Sequence, residues 1–231
     1  MNRGGWIVTG AFAVFLGAAL YGTSAIIGGS NSRAPGGTSS VGGASRLDPY
    51  QAGLAALRRG DHAAAVAEWT RIAETDARAQ AGLGDIYRHG GGGVDADLRQ
   101  ALAWYYRAAA VMNTDAELAL AKLFAEGAMG QPDFATAGFW FRNAGMHGAA
   151  EGAYAAGTYL EAGRGTRADP VDAAAWFSLA AELGHQAAPG SRDLLLRGFS
   201  AAQRTMYDQR VREFQEQRRT GDTTFHGVGP T

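Results

Sequence analysis

No cysteine occurs among the 231 residues. That excludes a disulfide framework, thiolate metal sites, a cysteine nucleophile and thiol redox chemistry, and leaves the compartment open. Proline is scarce as well, with 6 residues against 34 glycines. A surplus of charge is also missing, since 21 Lys and Arg face 22 Asp and Glu for a formal net charge of -1. Without a basic excess or a long block of one sign, nucleic acid is not an expected partner and no charged interaction tail stands out. The run Gly90–Gly93 has neither the Gly-Lys-Ser/Thr ending of a phosphate loop nor a strand before it, and no nucleophile elbow is present. No cofactor is expected.

Charge is absent altogether between Gly4 and Asn31, and Trp6 to Ile27 is mostly apolar. A run of about 20 apolar residues is long enough to cross a bilayer as a helix. It exceeds the apolar core usual for a secretion signal, which favours a retained anchor, while Thr23 and Ala25 offer small residues for cleavage after Ala25. Residues 1–28 therefore read as a transmembrane anchor or a signal peptide. Arg3 argues that the amino end stays inside. The remainder would lie outside the cytoplasm on a single-pass protein, or be exported to the periplasm after cleavage. Residues 29–47, rich in Gly and Ser, read as a flexible linker with too little apolar surface to offset ordering.

What is present in excess is a period. Trp69, Trp104, Trp140 and Trp176 are 35, 36 and 36 residues apart, a spacing that marks an array of helical repeats. Ala101, Ala137 and Ala173 stand three residues before the Trp, and Ala73, Ala108, Ala144 and Ala180 four after it. Those offsets share one helical face. Asp97, Asp133 and Asp169 lie seven residues before the Trp, where a carboxylate can cap the first free amides of a helix. Gly91, Gly127 and Gly163 lie thirteen before it, where the preceding helix must end. Each unit thus reads as helix A, a glycine turn, and a helix B bearing AxxWxxxA. Leu83 and Tyr87 match Leu120 and Phe124, and then Ala156 and Leu160, along helix A. Pro170 follows Asp169 at a first helical position, and Asp48-Pro49 has the same form at the opening of the array.

The chain so divides into a tetratricopeptide-like hairpin at 48–76, with a tight Gly60-Asp61 turn, and repeats at 77–112, 113–148 and 149–184. After a break at Pro189-Gly190-Ser191, one capping helix is expected within 185–219, with Leu195, Phe199, Ala202 and Met206 on its apolar stripe. Residues 220–231 read as a disordered tail. The fold class is all-α.

These positions resemble the Sel1-like repeat family, relatives of the tetratricopeptide repeats. The resemblance rests on Leu83, Gly84, Tyr87, Gly91, Gly93, Val94, Asp97, Ala101, Trp104, Ala108 and Ala109, and on Gly163, Gly165, Asp169, Ala173, Trp176, Ala180, Ala181 and Gly184. The middle copy departs at Met129, Gly130 and Gly145, which suggests a different loop conformation. The resemblance implies a right-handed α/α superhelix, or solenoid, whose concave face binds a protein or peptide. Members with a disulfide in each repeat differ from this chain, which has to hold its array by apolar packing.

His147 and His185 fall near the ends of successive B helices with no acidic residue at metal-ligand spacing, and read as solvated helix ends. No catalytic residue and no metal site is assigned. Side chains that the repeat pattern does not require are the candidates for partner binding. Tyr105, Phe141 and Arg142 lead, because binding energy concentrates in aromatic and Arg residues; Arg107, Asn143, Asp85, Arg88, Lys122 and Glu126 follow. The expected function is a protein-interaction adaptor, not an enzyme, at a bacterial-type envelope, and attached to the membrane if the amino segment stays. An enzyme or accessory subunit acting on cell-wall polysaccharide or peptidoglycan is the alternative.

Overall fold

A computed structural model describes residues 48–221. The apolar run Trp6–Ile27, the linker and the end of the tail lie outside the described residues, so the expected amino-terminal helix is not among the elements below.

Helices form in the order α1 (Pro49–Arg58), α2 (His62–Thr70), α3 (Ala77–His89), α4 (Leu98–Ala109), α5 (Thr114–Glu126), α6 (Phe134–Met146), α7 (Ala150–Ala162), α8 (Pro170–Glu182), α9 (Ala188–Arg197) and α10 (Ala201–Thr220). No strand occurs among the described residues, only one isolated bridge between Gly91 and Val94 in the α3–α4 loop. Each helix up to α9 packs on the one before it, α3 also meets α5, and α10 folds back onto α8. Odd helices up to α7 are the A helices and even ones up to α8 the B helices. Successive hairpins therefore stack as layers, each burying an apolar face that it could not bury alone.

The recurring Asp closes each hairpin from both sides. As N-caps of α4, α6 and α8, Asp97, Asp133 and Asp169 accept amide hydrogen bonds from the first turn at 2.9–3.0 Å. Their own amides donate back to the carbonyls of Tyr87, Phe124 and Leu160 on helix A at 2.7, 2.9 and 3.0 Å. The cap bonds hold the Asp97 and Asp133 carboxyls below the usual range. Gly127 and Gly163 end α5 and α7 in the left-handed conformation. In the first repeat α3 ends at Gly90, one residue before the expected Gly91, at a positive φ of 67° but with ψ -164°, outside the left-handed helical region. Asp48 departs from the pattern: Pro49 opens α1, but the Asp48 side chain makes no capping bond.

The loops differ as the irregular middle copy suggests. A Cβ on Gly92 would lie 2.4 Å from the Gly60 carbonyl oxygen, and one on Gly165 would lie 2.3 Å from the Ala135 amide nitrogen. The first and third loops thus press on the start of the preceding B helix, and the Ala63 amide donates to the Gly92 carbonyl at 3.2 Å. The middle loop does not: Gly130 has no neighbour within 4 Å of a built Cβ, and Met129 is exposed.

The carboxyl end corrects the expectation of one capping helix. Pro189 and Gly190 lie inside the first turn of α9, where proline lacks no needed donor, and the real break falls at Gly198–Ser200, where Ser200 and Gln203 form a capping box on α10. Ala202 and Met206 face solvent. The cap seals the core instead with Phe214, whose ring centroid lies 4.7 Å from that of Trp176, and with Tyr207 and Val211.

Candidate functional site

Of the four ladder tryptophans, two are fully buried and two only partly so. Trp69 is 1% exposed and Trp176 0%. Trp69 lies between Gly53 of α1 and Gly82 of α3, where a Cβ on either would come within 2.3 Å of the indole. Its Nε1 donates to the Tyr50 carbonyl at 3.1 Å, and the Tyr50 ring stacks on it at 5.7 Å. Trp104 and Trp140 are only half-buried.

In those two repeats the core position passes to the next residue, and this corrects the partner-binding candidates. Tyr105 and Phe141 are buried, at 1% and 6% exposure, so neither is a surface anchor. Tyr105 covers Gly84, whose built Cβ would meet the ring at 2.5 Å; Phe177 covers Gly157 in the same way at 2.7 Å. The Tyr105 hydroxyl donates to Asp85 at 2.7 Å, and burial together with that carboxylate pushes the phenol upward. Arg142 is half-buried; burial lowers its guanidinium while the charge of Asp172 opposes the shift. Asp172 in turn accepts from Arg210 of α10 at 2.8 Å. Burial raises the Asp172 carboxyl and Arg210 partly offsets it. Arg142 thus feels the charge of a carboxylate that is itself held by the capping layer.

The A-helix candidates pair across repeats. Arg88 of α3 bridges to Glu126 of α5 at 2.8 Å, and Lys122 of α5 to Glu151 of α7 at 2.8 Å. Each pair is at least partly exposed, and such bridges contribute little, about 0–1 kcal/mol. They leave the A-helix side studded with both signs and locally neutral.

The histidines are not the solvated helix ends that sequence spacing suggests. His147 donates from Nδ1 to both oxygens of Glu117 at 2.8 and 2.9 Å, and Glu117 is buried at the start of α5. Burial raises the Glu117 carboxyl, with the His147 hydrogen bond pulling the other way. His185 stacks on Tyr154 at 4.0 Å. Thirty residues separate Glu117 from His147, so only the α5–α6 hairpin could reveal the pair. No group of three metal-ligating side chains occurs among the described residues.

A second surface, of which only Arg107 stood among the candidates from sequence, runs over the B helices. Tyr106 contacts Trp140 at 5.8 Å between ring centroids, and Phe139 meets Trp140 edge-on at 5.2 Å. Arg107 lies over the Trp104 ring at 4.8 Å. These rings join the outer faces of α4 and α6. A signal was available in the pairs Trp104-Tyr105 and Trp140-Phe141: two adjacent large aromatics point about 100° apart, so both are buried only where neighbours cover both directions, as they do for Trp176 and Phe177.

Comparison with known proteins agrees with the geometry. The Sel1 repeat family matches residues 77–110, 114–148 and 150–185. Chitin synthase regulatory factor 3 of Schizosaccharomyces pombe is 37% identical over 110 residues, which is 47% of this chain and 12% of that protein. The chain therefore spans about an eighth of that relative's length. The crystal structure of a Sel1 repeat protein from Oxalobacter formigenes superposes with a TM-score of 0.55 at 23% identity, covering 75% of this chain and 74% of the other, and shares its fold. A protective antigen of uropathogenic Escherichia coli displaying an SLR fold reaches a TM-score of 0.47 at 19% identity, over 79% of this chain and 49% of that one.

Proposed function

From its membership of the Sel1-repeat proteins, with three repeats between residues 77 and 185, we propose that this chain is a scaffold that holds a protein partner on its repeat surface and is tethered at a cell envelope. The single observation that carries this is the stack of hairpins itself. Its aromatic and alanine positions are consumed in holding layers together, and its outward side chains are free to vary without cost to the fold. Sel1-repeat proteins are in general non-enzymatic scaffolds for protein–protein contacts. The fungal relative is by its name a regulatory factor for an enzyme, which fits action through another protein, although only the repeat region is shared.

The tether is Trp6–Ile27, apolar and long enough to span a bilayer. Among the described residues no helix is long and apolar enough to cross a membrane. The repeats then sit on the far side of the membrane from Arg3. On the A-helix side, expected to be concave in this family, Arg88, Glu126, Lys122 and Glu151 offer exchangeable ion pairs to a partner that carries both signs.

Brief crosslinking in the native cell, followed by purification of the full chain and mass spectrometry, tests the reading. A specific partner should be recovered, and a variant carrying both Arg88→Glu and Lys122→Glu should lose one that docks on the A-helix side. The chain should also stay with membranes after an alkaline wash. An abundant, folded chain that yields no specific partner would sink the scaffold reading.

A further inference from the structure

Among the described residues, seven large apolar side chains are exposed, and three of them, Tyr106, Val111 and Met112, fall within one stretch at the end of α4. Their exposures are 43%, 60% and 58%. Met112 is the more telling for its backbone. It is the one non-glycine residue at positive φ among the described residues, at 60°. It stands eight residues after Trp104, and the residues eight after Trp140 and Trp176 are Gly148 and Gly184, at φ 105° and 92°. All three close a helix in the same way: the amides of Asn113, Ala149 and His185 donate back to the carbonyls of Ala108, Ala144 and Ala180 at 3.2, 2.8 and 2.8 Å. Glycine is the natural residue for that left-handed position. The first repeat places a long apolar side chain there instead and leaves it in solvent. An unfavourable local conformation held without a packing gain points to a use outside the fold.

The surroundings say what kind of use. Tyr106 adjoins Trp140, which Phe139 meets in turn, so the apolar surface continues onto α6 through two partly exposed rings. Neither α4 nor α6 contains an Asp or Glu. The capping carboxylates Asp97 and Asp133 accept from the amides of their own first turns, with Asp97 also feeling the charge of Arg99. Arg99 and Arg107 are exposed on α4, and no carboxylate among the described residues lies within ion-pair distance of either. The A-helix side is the opposite case, with Arg88 and Lys122 each paired to a carboxylate of the next repeat.

We propose that the outer face of α4 and α6, from Met112 through Tyr106 to Trp140, is a second docking surface that takes an acidic segment of a partner protein anchored by an apolar side chain. The anchor packs on the Tyr106–Trp140 rings and Met112, and flanking carboxylates meet Arg107 and Arg99. A second copy of this chain is a poorer occupant, because matching faces set Arg107 against Arg107. An anionic bilayer is poorer too, since lipid-binding patches gather on the order of four to eight basic residues. The inference rests on the scaffold reading and adds to it a surface and a partner chemistry.

The test selects binders to the full chain from a phage-displayed library of short random peptides, then measures the affinity of the selected peptides. Enriched peptides should carry Asp or Glu beside an aromatic residue or leucine. Their affinity should fall about tenfold or more with Tyr106→Ala and with Arg107→Glu at an unchanged melting temperature. Met112→Gly should weaken binding while the melting temperature holds or rises, a split that a purely structural role would not produce. Peptides lost on Arg88→Glu with Lys122→Glu, but indifferent to the α4 variants, would overturn this surface and leave the scaffold reading standing. Self-association abolished by Tyr106→Ala would overturn the acidic partner in favour of a second copy. A chain that selects no peptide would also overturn it, and the crosslinking experiment then judges the scaffold reading separately.

Discussion

Trp69 and Trp176, near the two ends of the array, are sealed in the core, whereas Trp104 and Trp140, at the same repeat position between them, are only partly buried. The outer pair have something to lie against that the inner pair lack. Trp69 is clasped by the glycines of α1 and α3 and stacked by Tyr50, and Trp176 is covered by Phe214 of the returning α10. In the inner repeats Tyr105 and Phe141 fill the hairpin, and the indoles lie only partly buried at the edges of the core clusters. One sequence position thus has two occupations, decided by the neighbouring layer.

The comparison breaks or sharpens most strongly through truncation. Trp176→Ala and Trp69→Ala should each lose about 3–5 kcal/mol in denaturant unfolding, the range for removing a buried large aromatic. Tyr105→Ala should fall in the same range, while Trp104→Ala and Trp140→Ala should cost clearly less, about 1–2 kcal/mol. Equal losses at Trp104 and Trp176 would refute the division.

The next effect is that of the caps. Asp97→Ala and Asp133→Ala should each cost about 1 kcal/mol by the same measurement, and Asp48→Ala less, because Asp48 makes no capping bond. A smaller effect depends on pH. Burial raises the native Glu117 carboxyl above its ordinary value of 4.5. In the window between the ordinary and the raised value, the folded chain therefore binds more protons than the unfolded one. Stability contributed at this site falls as pH rises through that window, and the loss persists above it. Glu117→Gln should flatten that slope; an identical pH profile for both chains would show the carboxyl to be unshifted. Smallest is Met112→Gly, expected to raise stability by about 1 kcal/mol through relief of the left-handed backbone, whereas Gly148→Ala should lower it.

The period, the hairpin order and the caps at Asp97, Asp133 and Asp169 are legible in the residue spacing. They rest on hydrogen bonds between residues two to four apart, which spacing reveals directly. The irregular middle loop shows in Met129 and Gly130. Other features are not legible, because the partner lies far along the chain. Pro189-Gly190 reads as a break only while the proline is taken without its position, since proline at the start of a helix interrupts nothing. Tyr105 and Phe141 read as surface only while the ladder Trp is taken to fill the hairpin. Gly84 and Gly157, small where a ring must lie, are the counter-signal. Glu117 and His147 meet only because α5 and α6 pair, and a buried carboxylate has no local signature.

The sequence by itself determined a cysteine-free, all-helical array of repeated hairpins with capped B helices, because helix periodicity and capping are short-range properties of the chain. Tertiary structure alone decided that Tyr105 and Phe141 enter the core ahead of Trp104 and Trp140 while Trp176 and Phe177 both enter it, which charges cancel across repeats, and which face is left apolar and basic. The reason is geometric: neighbouring residues on a helix point about 100° apart, and only the layers brought up by the stacking of hairpins determine whether one of the two directions is inside, as at Tyr105 and Phe141, or both, as at Trp176 and Phe177.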